Sequence, residues 1–319
     1  MSSADDRSAW IHAMPAVFVL IWSTGFIVAR FGMPHSPPFT FLLMRYLLSM
    51  ACFVPWILWA KVPWPKTRAQ FLHLSVTGIL MHAGYLGGVW AAVKAGMGSG
   101  LSALIVGIQP VLTAIWLSAV HARSAAVATS AEGKGVHVSA VTPRQWLGLM
   151  LGLAGLLMVV WRKLTQGSAL DHVNFFNITF AVVALMCITV GTLYQKRFVQ
   201  SCDVRSANTV QLLAAAIVTL PLALFEVENV VWVPETVAAL VWSVLGLTLG
   251  GSSLLYVLIQ RGAAASVTSL MYLVPPTTAV MAWVLFDEPI TAMTLAGTAL
   301  TALGVSQVVR APVVRVTPT

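Results

Sequence analysis

Apolar runs of about 20 residues, separated by short polar breaks, recur along nearly the whole of this 319-residue chain. An α-helix of about 20 residues can cross the roughly 30 Å hydrocarbon core of a bilayer, so each run is long enough to span a membrane. This recurrence predicts an all-α integral membrane protein with ten transmembrane helices. The predicted helices lie near residues 13–30, 39–60, 71–93, 98–120, 143–161, 174–194, 207–225, 236–259, 264–286 and 290–309.

The composition excludes an ordinary soluble domain and several classes of ligand. Charged residues make up 9% of the chain and hydrophobic residues 58%, whereas soluble domains carry about 25% charged residues. The net charge of +8 does not indicate nucleic acid, because the basic residues form short groups between apolar runs rather than one stripe. The three cysteines are spaced too widely for a metal motif, so we expect no metal site, no cofactor and no disulfide framework.

The distribution of lysine and arginine predicts how the helices are oriented. Basic residues in short connections are retained on the cytoplasmic side of a membrane. If the N-terminus is cytoplasmic, most of the 18 basic residues fall on that side. The connections on the opposite side then hold only Arg30, Lys94, Arg162 and Lys163. We therefore predict a multi-pass protein whose terminal segments, residues 1–12 and 310–319, are both cytoplasmic.

Two halves of the chain match each other at a constant spacing. The matched pairs, 166 positions apart, include Gly25 with Gly191, Gly84 with Gly250 and Pro110 with Pro276. Beyond the Ala/Ser/Gly-rich stretch 121–142 the spacing falls to 149, which pairs Gly148 with Gly297. The stretch therefore contains an insertion, which we predict to be a cytoplasmic loop.

Each matching half contains five predicted helices. The first five-helix repeat covers residues 13–161, and the second covers residues 174–309. Because five is an odd number, the second repeat must enter the membrane upside down relative to the first. Inverted repeats of this kind are typical of secondary transporters.

Four short segments carry a resemblance to a known family. They are Leu20 to Phe26 (LIWSTGF), Phe41 to Tyr46 (FLLMRY), Leu104 to Pro110 (LIVGIQP) and Phe286 to Pro289 (FDEP). In this order and spacing, the chain resembles the EamA-type branch of the drug/metabolite transporter superfamily. The first half departs from the pattern, because the loop 121–142 stands where the second half has its acidic residues and proline.

The resemblance implies an exporter of the bacterial inner membrane that moves small metabolites, such as amino acids or amphiphilic compounds. It also implies a central cavity between the halves that opens alternately to each side. The expected partners are a small solute and the lipid bilayer, with the proton as a candidate coupling ion. An uncoupled facilitator and a carrier of nucleotide sugars or phosphates remain alternatives, and a non-transporting sensor is disfavoured. The sequence contains no P-loop and no Gly-x-Ser-x-Gly motif, so neither motif indicates an enzyme.

The candidate solute-binding residues are polar or aromatic side chains inside predicted helices: Trp22, Arg45, His82, Tyr85, Gln109, Gln211, Tyr256 and Tyr272. A charge near mid-membrane costs about 2.5–3.5 kcal/mol by insertion scales, so Arg45 is expected to face a cavity and attract an anionic group. Its repeat partner is Gln211. His82 and Tyr85 share one helix face because they are three residues apart, and His82 is the candidate for proton coupling.

Each of these residues also has a structural interpretation. Arg45 could extend its charged group to the membrane interface, and His82 could hydrogen-bond within the helix packing. The aromatic side chains could face lipid or fill the core. Gln109 precedes a proline, which interrupts helical hydrogen bonds and either frees carbonyl groups for a cavity or only kinks the helix.

Overall fold

A computed structural model describes residues 2–109, 112–113, 115–116, 146–148, 150–155, 157–158, 173–251, 253–254, 273–288 and 290–309. Every regular element in these ranges is a helix. The main helices are α1 (Ser2–Gly32), α2 (Pro38–Trp59), α3 (Arg68–Lys94), α4 (Ser99–Val106), α5 (Phe175–Phe198), α6 (Val204–Leu224), α7 (Pro234–Gly251), α8 (Val274–Phe286) and α9 (Ala292–Val309).

Six of these helices, α1, α2, α3, α5, α6 and α7, are long and apolar enough to cross a membrane. The prediction of an all-α membrane protein is thus confirmed. Several predicted helices, including those near 98–120, 143–161 and 264–286, extend beyond the described residues, so the total of ten stays a prediction. Helix α1 begins at Ser2, well before the predicted start at residue 13.

Side chains at the helix starts satisfy backbone N–H groups that have no partner within the helix. Thr67 accepts from the Gln70 N–H at 3.2 Å at the start of α3. Asn174 and Asn177 form a reciprocal capping box at the start of α5. Asp203 accepts from the Arg205 N–H at 2.9 Å before α6, and the Arg205 side chain holds the pKa of the Asp203 carboxyl below its usual value.

Two helices contain π-helical stretches, Ile79–Leu86 in α3 and Ser243–Gly251 in α7. Such stretches are rare and often occur at functional sites, because the wider turn shifts side chains and backbone groups out of the ordinary helical register. The two stretches overlap closely when the 166-residue spacing is applied. They bring His82 and Thr248 to equivalent positions in the two halves.

Glycines allow the helices that contain these stretches to approach their neighbours. A methyl group on Gly78 of α3 would overlap the backbone of Gln211 on α6. A Cβ on Gly191 of α5 would lie only 2.8 Å from Met81 of α3, whereas one on Gly25 of α1 would meet Leu247 of α7 at an ordinary 3.8 Å. The last two contacts are equivalent under the 166-residue spacing. The two halves therefore share a packing pattern as well as a sequence pattern.

The helix connections gather at two ends of the bundle. The acidic end contains residues 33–37, 95–98, 225–233 and 287–288, and its connections contact one another. The Val231 N–H donates to the His35 carbonyl at 2.8 Å, and Lys94 forms an ion pair with Glu228 at 2.5 Å. The basic end contains residues 60–67 and 199–203 with the adjacent Arg68, Lys196, Arg197 and Arg205.

Candidate functional site

Four helices contribute one polar side chain each to a cluster in the bundle interior. We name this cluster the polar centre: Arg45 of α2, His82 of α3, Gln211 of α6 and Thr248 of α7. Arg45 is only 7% exposed, and its Nε donates to the Thr248 hydroxyl at 3.2 Å. The Thr248 hydroxyl in turn donates to the Ser243 carbonyl at 2.8 Å within α7. This contact holds Arg45 inside the bundle, which favours the inward-facing interpretation over extension to the interface.

His82 and Gln211 form the other side of the polar centre. The Gln211 side chain lies next to the His82 imidazole. The hydroxyl of Tyr46 donates to the His82 carbonyl at 2.8 Å, so the backbone of the π-helical stretch is tied to α2. The Nδ1 atom of His82 is buried and has no hydrogen-bond partner in the described part of the chain.

The two contacts of the polar centre are related by the internal repeat. Arg45 and Gln211 are 166 positions apart, and so are His82 and Thr248. One contact joins α2 to α7 and the other joins α6 to α3, so each links one half of the chain to the other. The repeat thus brings together a polar group from four helices, while only one of the four carries a permanent charge.

Two buried hydroxyls lie on the two helices that carry Arg45 and its partner Thr248. Ser49 is one turn after Arg45 on α2, and Ser243 begins the π-helical stretch of α7. Both hydroxyls are fully buried, and neither has a hydrogen-bond partner among the described residues. A buried polar group without a partner costs free energy, so these positions are either tolerated packing defects or contact points for a ligand.

The remaining predicted site residues fall into three groups. Tyr85 lies close enough to Arg45 to interact electrostatically, and it is half-buried. Trp22 packs against Phe18, with ring centroids 5.4 Å apart, and lies next to the backbone of α7. Gln109 donates to the Thr192 hydroxyl at 2.8 Å, a contact between α5 and the residues after α4. Tyr256 and Tyr272 lie outside the described residues.

Thr248 was not among the predicted site residues, although it contacts the most unusual of them. A threonine in an apolar helix is common, and its hydroxyl can return to its own helix backbone. The signal that points to it is the repeat, because position 248 is the partner of His82. Applying the 166-residue spacing to each predicted residue would have found it.

Two carboxylates from the second half of the chain bind to the starts of first-half helices at the acidic end. Glu226, just after α6, accepts from the Phe39 N–H at 2.9 Å and the Thr40 N–H at 2.7 Å at the start of α2. Glu288, just after α8, accepts from the Ser99 N–H at 3.0 Å and the Ser99 hydroxyl at 2.9 Å at the start of α4. A carboxylate is stabilised at a helix N-terminus by the free N–H groups and the helix dipole. Both carboxylates therefore serve as helix caps.

Metal or cofactor chemistry is not indicated by the described residues. No three His, Cys, Asp or Glu side chains among them lie close enough together to hold a metal ion. The polar centre offers one cation, one imidazole, one amide and hydroxyls, which suit reversible binding of a small polar group.

Comparison with known proteins gives relatives over nearly the full length. The chain is 23% identical over 296 residues to an "Uncharacterized transporter" of Archaeoglobus fulgidus, covering 92% of this chain and 95% of the relative. It is 23% identical over 296 residues to a "Probable amino-acid metabolite efflux pump" of Salmonella typhimurium, covering 90% of each. An "Uncharacterized transporter" of Bacillus subtilis is 22% identical and covers 88% of this chain.

A solved crystal structure shares the fold, with a TM-score of 0.60 at 17% identity, and the match covers 92% of this chain and 95% of the other. The EamA-like transporter family model matches residues 10–128 and 175–310, which together make up most of the chain. The first matched segment ends before the fifth predicted helix, and the second covers nearly all of the predicted second repeat. The resemblance seen in the sequence motifs is thereby confirmed, and the chain belongs to the EamA-like transporter family.

Proposed function

We propose that this membrane transporter is a secondary exporter that carries small metabolites, amino acids or amphiphilic compounds, across the bacterial inner membrane by alternating access. The similarity to a relative named as an amino-acid metabolite efflux pump supports the direction and the solute class. The family membership supports transport rather than catalysis. The proposed fold has ten helices in two inverted halves, residues 13–161 and 174–309.

One observation carries the proposal: the polar centre is built from repeat-equivalent contacts. The Arg45 to Thr248 contact and the Gln211 to His82 contact both cross between the halves. In transporters with inverted repeats, the solute site lies at the interface of the repeats, near the middle of the bilayer. A site on such an interface can be reached from either side when one half rocks against the other.

The predicted residues take the following roles in this proposal. Arg45 and Gln211 bind the polar part of the solute, and Trp22 and Tyr85 pack on its apolar part. His82 is the proposed proton-coupling group, because it is the imidazole of the polar centre and directly neighbours Gln211. Gln109, Tyr256 and Tyr272 are proposed to line the same cavity. Gln109 contacts α5 rather than the polar centre.

The two ends of the bundle give the transport cycle its polarity. The basic end faces the cytoplasm in this proposal, and the acidic end faces outward. The carboxylate caps of Glu226 and Glu288 and the Lys94 to Glu228 ion pair hold the acidic end together. Release of solute on that side requires some of these contacts to separate.

A solute-uptake screen in proteoliposomes, with and without an imposed pH gradient, tests the proposed function. We expect uptake of small metabolites that accelerates when the gradient is imposed. Uptake that is indifferent to the gradient would instead indicate an uncoupled facilitator. Preferential exchange of nucleotide sugars or phosphates would indicate that type of carrier. A reconstituted protein that moves no solute would contradict the proposal and favour a sensor.

A further inference from the structure

Arg45 is a buried cation that has no carboxylate partner among the described residues. The chain has 10 acidic residues. They are Asp5, Asp6, Glu132, Asp171, Asp203, Glu226, Glu228, Glu235, Asp287 and Glu288. Glu235 lies in the first turn of α7, and the other nine lie outside the candidate membrane spans. Among the described membrane spans, only α7 therefore carries a carboxylate, and it lies in the first turn of that helix.

None of the described side chains near Arg45 carries a negative charge. Thr248 of α7 accepts from its Nε, and Tyr85 of α3 lies within electrostatic range. On its own helix the neighbours are Tyr46 and, one turn later, Ser49. Neutral dipoles lower the cost of burying a guanidinium, but they do not cancel its charge, and an uncompensated buried charge is expensive.

The terminal nitrogens of Arg45 have no hydrogen-bond partner among the residues that the structure describes. The described residues provide a hydrogen-bond partner for Nε only. These terminal nitrogens are not among the fully buried atoms that lack a partner. Arg45 is 7% exposed, so a small part of the residue stays accessible within the bundle. A guanidinium with Nε held and its outer N–H groups free presents a planar fork, and that geometry matches a carboxylate at two points.

We propose that the transported solute carries one carboxylate, which docks on the terminal nitrogens of Arg45. This inference rests on the proposed function and names the substrate class of the same site. The polar centre holds one permanent cation, so it balances one negative charge and leaves a phosphate dianion undercompensated. The half-buried Trp22 and Tyr85 favour an apolar body on the solute.

Paired probes that differ only in charge test the carboxylate. The purified full-length protein in lipid nanodiscs is titrated with carboxylates of increasing size, from acetate to 3-phenylpropanoate, each matched with its primary amide. We expect at least one carboxylate to bind about ten-fold or more tightly than its amide, because the amide cannot form the charge-assisted pair. Arg45→Gln should remove this preference, and Arg45→Lys should keep part of it. Lys66→Gln, which removes an exposed charge at the basic end, is the matched control and should not alter it.

Three results would overturn the carboxylate proposal. The first is that no pair shows a preference for the charged member in the wild-type protein. The second is that the preference survives in Arg45→Gln, or that chloride or phosphate displaces the probe as well as a carboxylate does. The third is that Lys66→Gln loses the preference to the same extent as Arg45→Gln. Proteoliposome uptake by the same preparations distinguishes failure of the carboxylate proposal from failure of the proposed function. If the protein transports neutral or cationic solutes and Arg45→Gln does not affect that transport, the carboxylate proposal is wrong and the proposed transport function stands.

Discussion

Charged groups are treated in opposite ways at the acidic end and in the polar centre. At the acidic end, Glu226 and Glu288 are each paired with the N–H groups of a helix that begins beside them. In the polar centre, Arg45 has a hydroxyl partner at Nε and no carboxylate partner within the described part of the chain. These two carboxylates have a structural role, since each joins one half of the chain to the other. The charge without a counter-ion is the one that a solute can complete.

The largest expected effect follows from removing the charge of the polar centre. Arg45→Gln should lower the rate of carboxylate transport at least ten-fold, because it removes the cation while keeping hydrogen-bonding capacity and the residue type of its repeat partner. Arg45→Lys should restore part of the rate, since it retains charge without the planar fork. Expression and size-exclusion profiles should match wild type, because losing the charge makes membrane insertion easier. Normal transport by Arg45→Gln would show that the charge in the polar centre is not used to bind solute, in contrast to the account given above for the polar centre and the acidic end.

A smaller effect is expected when the helices around the polar centre are forced apart. Gly78→Ala places a methyl group against the Gln211 backbone, so it should lower the free energy of unfolding by about 1–3 kcal/mol. Gly25→Ala is the matched control, because its methyl group would meet Leu247 at an ordinary 3.8 Å. Denaturant unfolding of the two purified variants makes the comparison. Equal stability would show that the close approach of α3 and α6 is not required.

These elements also show what the sequence could and could not predict. The lengths of the apolar runs predicted the positions of the six described spans closely. A helix of about 20 apolar residues crosses the hydrocarbon core and pairs its own backbone groups there. The π-helical stretches were not predictable, because uniformly apolar segments carry no periodicity that separates one helical register from another. Arg45, His82 and Gln211 could be chosen because polar groups are rare in the spans, whereas Thr248 is chemically ordinary. The hydrogen bond of Gln109 with Thr192 depends on tertiary packing that no local pattern encodes.

Removing the charge of a cap at the acidic end should have a modest effect. Glu288→Gln should reduce the free energy of unfolding by about 0.5–2 kcal/mol, since a neutral amide caps the start of α4 less well than a carboxylate. Asp287→Asn is the adjacent control: Asp287 is exposed and has a left-handed backbone with φ of 52°, which asparagine also tolerates. Solute binding by Glu288→Gln should be unchanged in affinity. A ten-fold loss of binding would mean that the acidic end belongs to the solute site.

The smallest effect is expected for the loop 121–142, which lies outside the described residues. Its repeat counterpart is about 17 residues shorter, and surface loops tolerate changes in length at a small entropic cost. Shortening the loop to the length found in the second half should leave uptake by proteoliposomes unchanged. Loss of uptake at normal expression would assign the loop a function.

The sidedness of the two ends can be measured independently of any solute. Reporter fusions after Thr67, Ser206 and Val313 should report a cytoplasmic location, because they follow basic segments. A fusion after Asn229, in the acidic end between α6 and α7, should report the opposite side. A non-cytoplasmic signal from the fusion after Val313 would contradict the even number of helices.

The central claim is that the polar centre can be reached from both sides of the membrane, and thiol labelling tests it most directly. Tyr85→Cys, in a chain whose 3 native cysteines are replaced by serine, places a thiol beside Arg45. A membrane-impermeant sulfonated reagent is applied to intact cells and, separately, to inverted membrane vesicles. We predict labelling from both sides, with the reaction from the acidic end accelerated by Glu288→Gln and slowed by a bound carboxylate. Labelling from one side alone, in the presence and absence of solute, would contradict alternating access at this site.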